Sequence, residues 1–68
     1  MNTQHPLTPM QIRCVQLIAE GHLHKTISPM LGIAAKTVGN HIAAAMRRVK
    51  ARNATHLVAE GFRNGWIQ

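Results

Sequence analysis

The chain has 68 residues and carries 8 Lys plus Arg against 2 Asp plus Glu, a formal net charge of +6. That length supports one domain, which buries only about 60% of its unfolded surface, so a helical bundle completed by a dimer contact is expected. The charge balance points to a polyanionic partner, no apolar run approaches a membrane span, and the N-terminus lacks the basic-then-apolar layout of a secretion signal.

Met1 to Pro6 is polar and is expected to form a frayed arm. Leu7-Thr8-Pro9-Met10-Gln11-Ile12 reads as a helix start. Thr8 suits the N-cap, Pro9 the first helical position, and Gln11 closes a capping box. Leu7 and Ile12 take the two positions of a hydrophobic staple. The spacing predicts a helix to Glu20, with Gly21 as its stop and an inner stripe of Cys14, Val15, Ile18 and Ala19, widened by Leu17. Cys14 is the single cysteine, so no internal disulfide forms, which fits a reducing compartment. Its apolar neighbours at helical spacing make it a packed thiol rather than a reactive one.

His22-Leu23-His24 reads as a short connection. His24 is a weak cap for a second helix, Lys25 to Leu31, which Pro29 should bend or shorten because it lacks an N–H and crowds the Lys25 carbonyl. The alternative start places Ser28 at the N-cap and Pro29 at the first helical position, and residue pattern alone leaves both open.

Gly32 then sits where a helix-ending residue with positive φ is needed. A third helix, from about Ala35 to Val49, turns Val38, Ile42, Ala45 and Val49 to one face and Lys36, Thr37, Asn40, Arg47 and Lys50 to the other. A glycine turn between two helices, the second polar outside, is a helix-turn-helix signature, so this helix is expected to enter the major groove of DNA. Arg47, Arg48, Lys50 and Arg52 are read as phosphate contacts. Asn53 suits the N-cap of a fourth helix, Ala54 to about Asn64, with Leu57, Val58, Gly61 and Phe62 on its apolar face. Gly65 reads as its stop, and Trp66 and Ile67 fold back onto the core or cover a dimer contact.

No catalytic constellation appears. Glu20 and Glu60 are the only acids and fall on different helices, there is no glycine-rich phosphate loop, and Cys14 has no activating base, so no enzyme is expected. His22 and His24 lie two apart, with His41 and His56 on separate helices, which falls short of the three or four ligands of a zinc site; no metal and no cofactor are expected. RNA binding would call for stacking aromatics, and only Phe62 and Trp66 are present, both expected to be buried.

The chain resembles the DNA-binding domain of the LuxR family, in particular its free-standing GerE-like members. The matching residues are Leu7-Thr8-Pro9, Leu17-Ile18-Ala19-Glu20-Gly21, Lys25 with Ile27, Leu31-Gly32-Ile33, Lys36-Thr37-Val38, Asn40-His41-Ile42, Arg52-Asn53 with Thr55, and Gly65-Trp66-Ile67. The resemblance implies an all-α, four-helix LuxR/GerE-type helix-turn-helix domain that dimerises through its fourth helix and binds promoter DNA. It implies Lys36, Thr37, Gly39, Asn40 and Ala43 at the groove or its phosphate walls. His41 belongs to the same pattern, reaching a phosphate or packing against the first turn. The chain departs from the pattern at Gln11 and Arg13, where acids are usual, at Ala34, where Ser or Thr usually caps, at Gly39, where a basic residue is common, and at Pro29.

The resulting expectation is a sequence-specific, dimeric, cytoplasmic DNA-binding transcription regulator, nucleoid-associated when bound. It has no membrane partner, and repression is slightly favoured over activation. Leu57, Val58, Phe62 and Trp66 are expected at the dimer interface. With no room for a receiver or ligand-sensing domain in 68 residues, control would come from concentration, partners or a portion outside this chain. The alternative is a protein-interaction module that pairs with a full-length LuxR-type regulator and inhibits it.

Overall fold

The computed structural model describes residues 6–68. Of the expected N-terminal arm, Met1 to His5 lie outside the described residues. Four helices follow in order: α1 (Pro9–Ala19), α2 (His24–Leu31), α3 (Ala35–Val49) and α4 (Ala54–Arg63).

Local chemistry sets the start of α1. Thr8 is extended, its Oγ1 accepts from the Gln11 amide at 3.1 Å, and Gln11 Oε1 accepts from the Thr8 amide at 2.9 Å, so two donors that the helix leaves orphaned are satisfied reciprocally. Leu7, just before the cap, is buried against the core. The helix closes one residue earlier than the pattern suggests: Glu20 is the C-cap, and Gly21 takes φ +96° while its N–H donates to the Ile18 carbonyl at 3.0 Å. Of the expected inner stripe only Cys14 and Val15 are buried. Ile18 and Ala19 are half-buried because they border a groove shared with α4.

The second helix resolves the alternative left open at Pro29. It begins at His24, with Leu23 as N-cap, so neither His24 nor Ser28 caps it, and Pro29 lies inside it. The proline removes one N–H that would otherwise reach the Lys25 carbonyl. The helix continues because Ile27 is wholly buried and because Ser28 ties its end: the Ser28 carbonyl accepts from the amides of Gly32 and Ile33. Gly32 closes the turn at φ 69°, ψ 31°, the left-handed conformation that glycine adopts without a Cβ penalty.

Lys50 ends α3 in the same left-handed region, at φ 60°, and the Ala51 amide donates to the Met46 carbonyl at 2.9 Å. Asn53 then caps α4 by accepting from the His56 amide at 2.8 Å, and His56 Nδ1 reaches back to accept from the Arg52 amide at 3.0 Å. The fourth helix stops at Arg63, with Asn64 as C-cap and Gly65 at φ +74°. The chain beyond it folds back, with the Trp66 amide donating to the Gly61 carbonyl at 2.8 Å. Gln16 pins the last residue twice: its Nε2 donates to the Gln68 carbonyl at 2.8 Å and its Oε1 accepts from the Gln68 amide at 2.9 Å.

Every helix contributes to one core of Leu7, Cys14, Val15, Ile27, Val38, Ile42, Ala45, Leu57 and Ile67. No polar or charged residue is buried among the described residues. Leu57 requires a correction. It is 1% exposed inside this core and therefore has no surface to offer a second subunit. Phe62 goes the other way: it shares the expected apolar face of α4 but stands 52% exposed. Among the described residues no helix is long and apolar enough to cross a membrane.

Candidate nucleic-acid interface

The pair α2–α3 is held as a unit by the turn between them. Ser28 Oγ donates to the Ile33 carbonyl, fixing the residue that precedes the N-cap of α3. That cap is Ala34, extended at φ −66°, ψ 149°, which offers no side-chain acceptor to the first-turn amides. The helix begins there nonetheless, because Val38, Ile42 and Ala45 are buried on its inner face.

At about 100° per residue, Lys36, Asn40 and Arg47 fall opposite that buried face, and all three are exposed. Thr37, Gly39 and His41 are half-buried on the flanks, and Ala43 is half-buried beside the exposed three. The structure thus brings Lys36, Asn40, Ala43 and Arg47 together along one outward strip, with Thr37 and His41 on one side and Gly39 on the other. No acid occurs on α2 or α3. Glu20 accepts from Gln16 Nε2 at 3.1 Å, and Glu60 faces His56 at 3.6 Å and Arg63 at 3.3 Å on α4. The positive charge of α3 is therefore not neutralised within its own element or its partner in the turn.

The remaining basic residues are placed differently from one another. Arg48 is exposed, but its Nε donates to the Pro6 carbonyl at 3.0 Å, which turns it toward the N-terminal segment and about 100° round the helix from Arg47. Lys50 is the left-handed C-cap itself. Arg52 is exposed in the α3–α4 connection, where its backbone is fixed by His56.

Residue pattern missed one side chain at this face. His24, the first residue of α2, lies over Gly39: a Cβ added to the glycine would sit 3.5 Å from His24 Nδ1 and 3.6 Å from Cε1. The two are fifteen positions apart, and only the packing of α2 on α3 brings them together. Among the described residues no group of three or more His, Cys, Asp or Glu side chains is placed to hold a metal ion. Burial raises the Cys14 thiol above its ordinary pKa, with Arg13 pulling it partly back. A raised thiol is the opposite of what a nucleophile needs.

Two helices joined by a glycine turn, the second with an unneutralised basic strip, define a helix-turn-helix DNA-binding domain. The chain belongs to the luxR family of bacterial regulatory proteins: the family description "Bacterial regulatory proteins, luxR family" matches residues 5–60. It is 31% identical over 64 residues, 94% of its own length, to the "Transcriptional regulatory protein DegU" of Brevibacillus brevis. The chain spans 27% of the length of that relative.

Proposed function

We propose that the domain binds promoter DNA sequence-specifically as a homodimer, with α3 in the major groove. The observation that carries this is the exposed strip Lys36–Asn40–Arg47 on a helix whose other face is locked into the core, with no acid on α2 or α3. Lys36, Thr37, Gly39, Asn40 and Ala43 form the groove face. His41, Arg47, Arg48, Lys50 and Arg52 supply phosphate contacts, and Arg48 serves through whatever its Pro6 tie leaves available. Asn40 is the base reader, because its amide offers a donor and an acceptor together and pairs naturally with adenine.

The dimer forms on α4. Val58 is half-buried, Phe62 is exposed, and a shallow groove of about 240 Å³ between Ile18, Ala19, Ala54, Thr55 and Val58 lies beside them. Trp66, half-buried against the core just beyond α4, is assigned to this contact as well, and Leu57 supports it from within. Two recognition helices so joined address half-sites roughly 34 Å apart. Occupying a promoter requires the least machinery, which favours repression, and the protein acts in the cytoplasm on the nucleoid.

A second reading is favoured by Ala34, which leaves α3 uncapped, and by Gly39, which lacks a basic side chain. In it the domain pairs through α4 with a full-length LuxR-type regulator and inhibits it.

Selection from a random duplex pool, followed by affinity measurement with wild type and Asn40→Ala, separates these. The first reading expects one enriched operator, with Asn40→Ala relaxing the preference at one base pair per half-site. Failure to retain any duplex at low salt would overturn it and leave the second.

A further inference from the structure

We infer that His24, carried by α2, is a DNA-contacting residue of this domain, seated in the place that Gly39 vacates on α3. The inference rests on the DNA-binding reading above and names a side chain which that reading does not include.

The argument begins with why position 39 holds glycine. Its backbone is ordinary helix, since the positive-φ glycines are Gly21, Gly32 and Gly65. A Cβ there would meet only the His24 ring, at 3.5 and 3.6 Å, which is ordinary van der Waals contact. Neither backbone strain nor the fold's own packing therefore demands glycine, although glycine in mid-helix weakens the helix. The bare position has one visible consequence. It leaves a seat for the imidazole, which any side chain longer than alanine would contest.

The seat lies at the edge of the groove strip. Gly39 adjoins Asn40, follows Lys36 by three positions and precedes Ala43 by one turn, so the position over which the ring lies neighbours three of the groove residues along the helix. His24 itself is exposed, and among the described residues its ring has no hydrogen-bond partner. Its sequence neighbour Lys25 is exposed as well. The exposed ring carries an N–H that it can donate to a partner arriving at this face. At this position the acceptors that duplex DNA presents are phosphate oxygens of the groove wall and purine N7 atoms. A donor at this edge of the face is thus delivered from the first helix of the motif rather than from the second.

The test measures affinity for the selected duplex and its single-base variants with wild type, His24→Ala, His24→Gln, and both histidine changes in a Gly39→Lys background. Thermal melting confirms that each substitution leaves the fold intact. His24→Ala should weaken binding roughly fivefold, the size of one hydrogen bond, and His24→Gln should recover part of that loss because its amide also donates. In the Gly39→Lys background His24→Ala should lose its effect, since the lysine displaces the ring. Loss confined to some base variants assigns the contact to a base edge, and uniform loss assigns it to phosphate; either supports the inference. Equal binding by wild type and His24→Ala on every duplex would overturn the inference alone. A wild type that binds no duplex would overturn it together with the DNA-binding reading.

Discussion

Ile67 packs directly on the backbone of α4 at Gly61: a Cβ placed on the glycine would stand 2.9 Å from Ile67 Cγ1 and 3.0 Å from its Cδ1. Ile67 is 3% exposed within the core and its amide donates to the Gly61 carbonyl at 3.3 Å, so both its side chain and its backbone are held beside the glycine. Two effects oppose each other in Gly61→Ala. Alanine favours the helix by about 0.5–1 kcal/mol, whereas overpacking costs about 1–3 kcal/mol. The clash wins, and denaturant unfolding should show a net loss of stability.

Gly39→Ala should have the opposite sign. The same helix preference of about 0.5–1 kcal/mol applies, and the nearest atoms are 3.5 Å away at an exposed ring. The melting temperature should rise by a few degrees, since about 1 kcal/mol moves a domain of this size by ~4–8 °C. A fall in melting temperature would show that the His24 seat is tighter than the geometry indicates.

Ser28→Ala removes the hydroxyl that holds the Ile33 carbonyl ahead of the uncapped start of α3. A part-buried hydrogen bond of this kind contributes about 1 kcal/mol. Beyond that loss of stability, the amides of Ile33 to Thr37 should exchange with solvent faster than those of α1, as hydrogen-exchange NMR would show. Uniform exchange across the chain would assign the hydroxyl no local role.

Arg47→Ala should weaken binding to every duplex alike and flatten the salt dependence by about 0.9 in log–log slope, the contribution of one phosphate contact. Arg48→Ala tests a different matter. Its Nε is engaged with Pro6, so its effect on the slope should be smaller than that of Arg47. Anisotropy titrations across a range of salt concentrations distinguish the two.

Features set by neighbours in the chain were legible in the sequence, and those set by distant packing were not. The start of α1 was readable because Thr8, Pro9 and Gln11 act within four residues. The left-handed turn at Gly32 was readable because glycine alone occupies it without strain. The start of α2 is not decided by residue pattern, because Pro29 is tolerated or not according to the burial of Ile27, a tertiary fact. Leu57 and Phe62 look alike in an apolar pattern, yet one lies in the core and the other at the surface, since hydrophobicity alone does not say which side chain the fold covers. The outward strip of α3 followed from helical periodicity. The Arg48–Pro6 bond and the His24–Gly39 contact depend on how helices cross, to which local pattern is blind.

Cys14 gives the domain an internal gauge of its own opening. The sulfur is wholly enclosed, and burial disfavours the thiolate that reagents attack. An alkylating probe in solvent therefore reaches it only through molecules whose core has come apart, and the labelling rate reports how often that happens. A ligand that binds only the folded form must slow the labelling in proportion to its occupancy. The one cysteine can thus time the arrival of DNA at a face on which it does not itself lie.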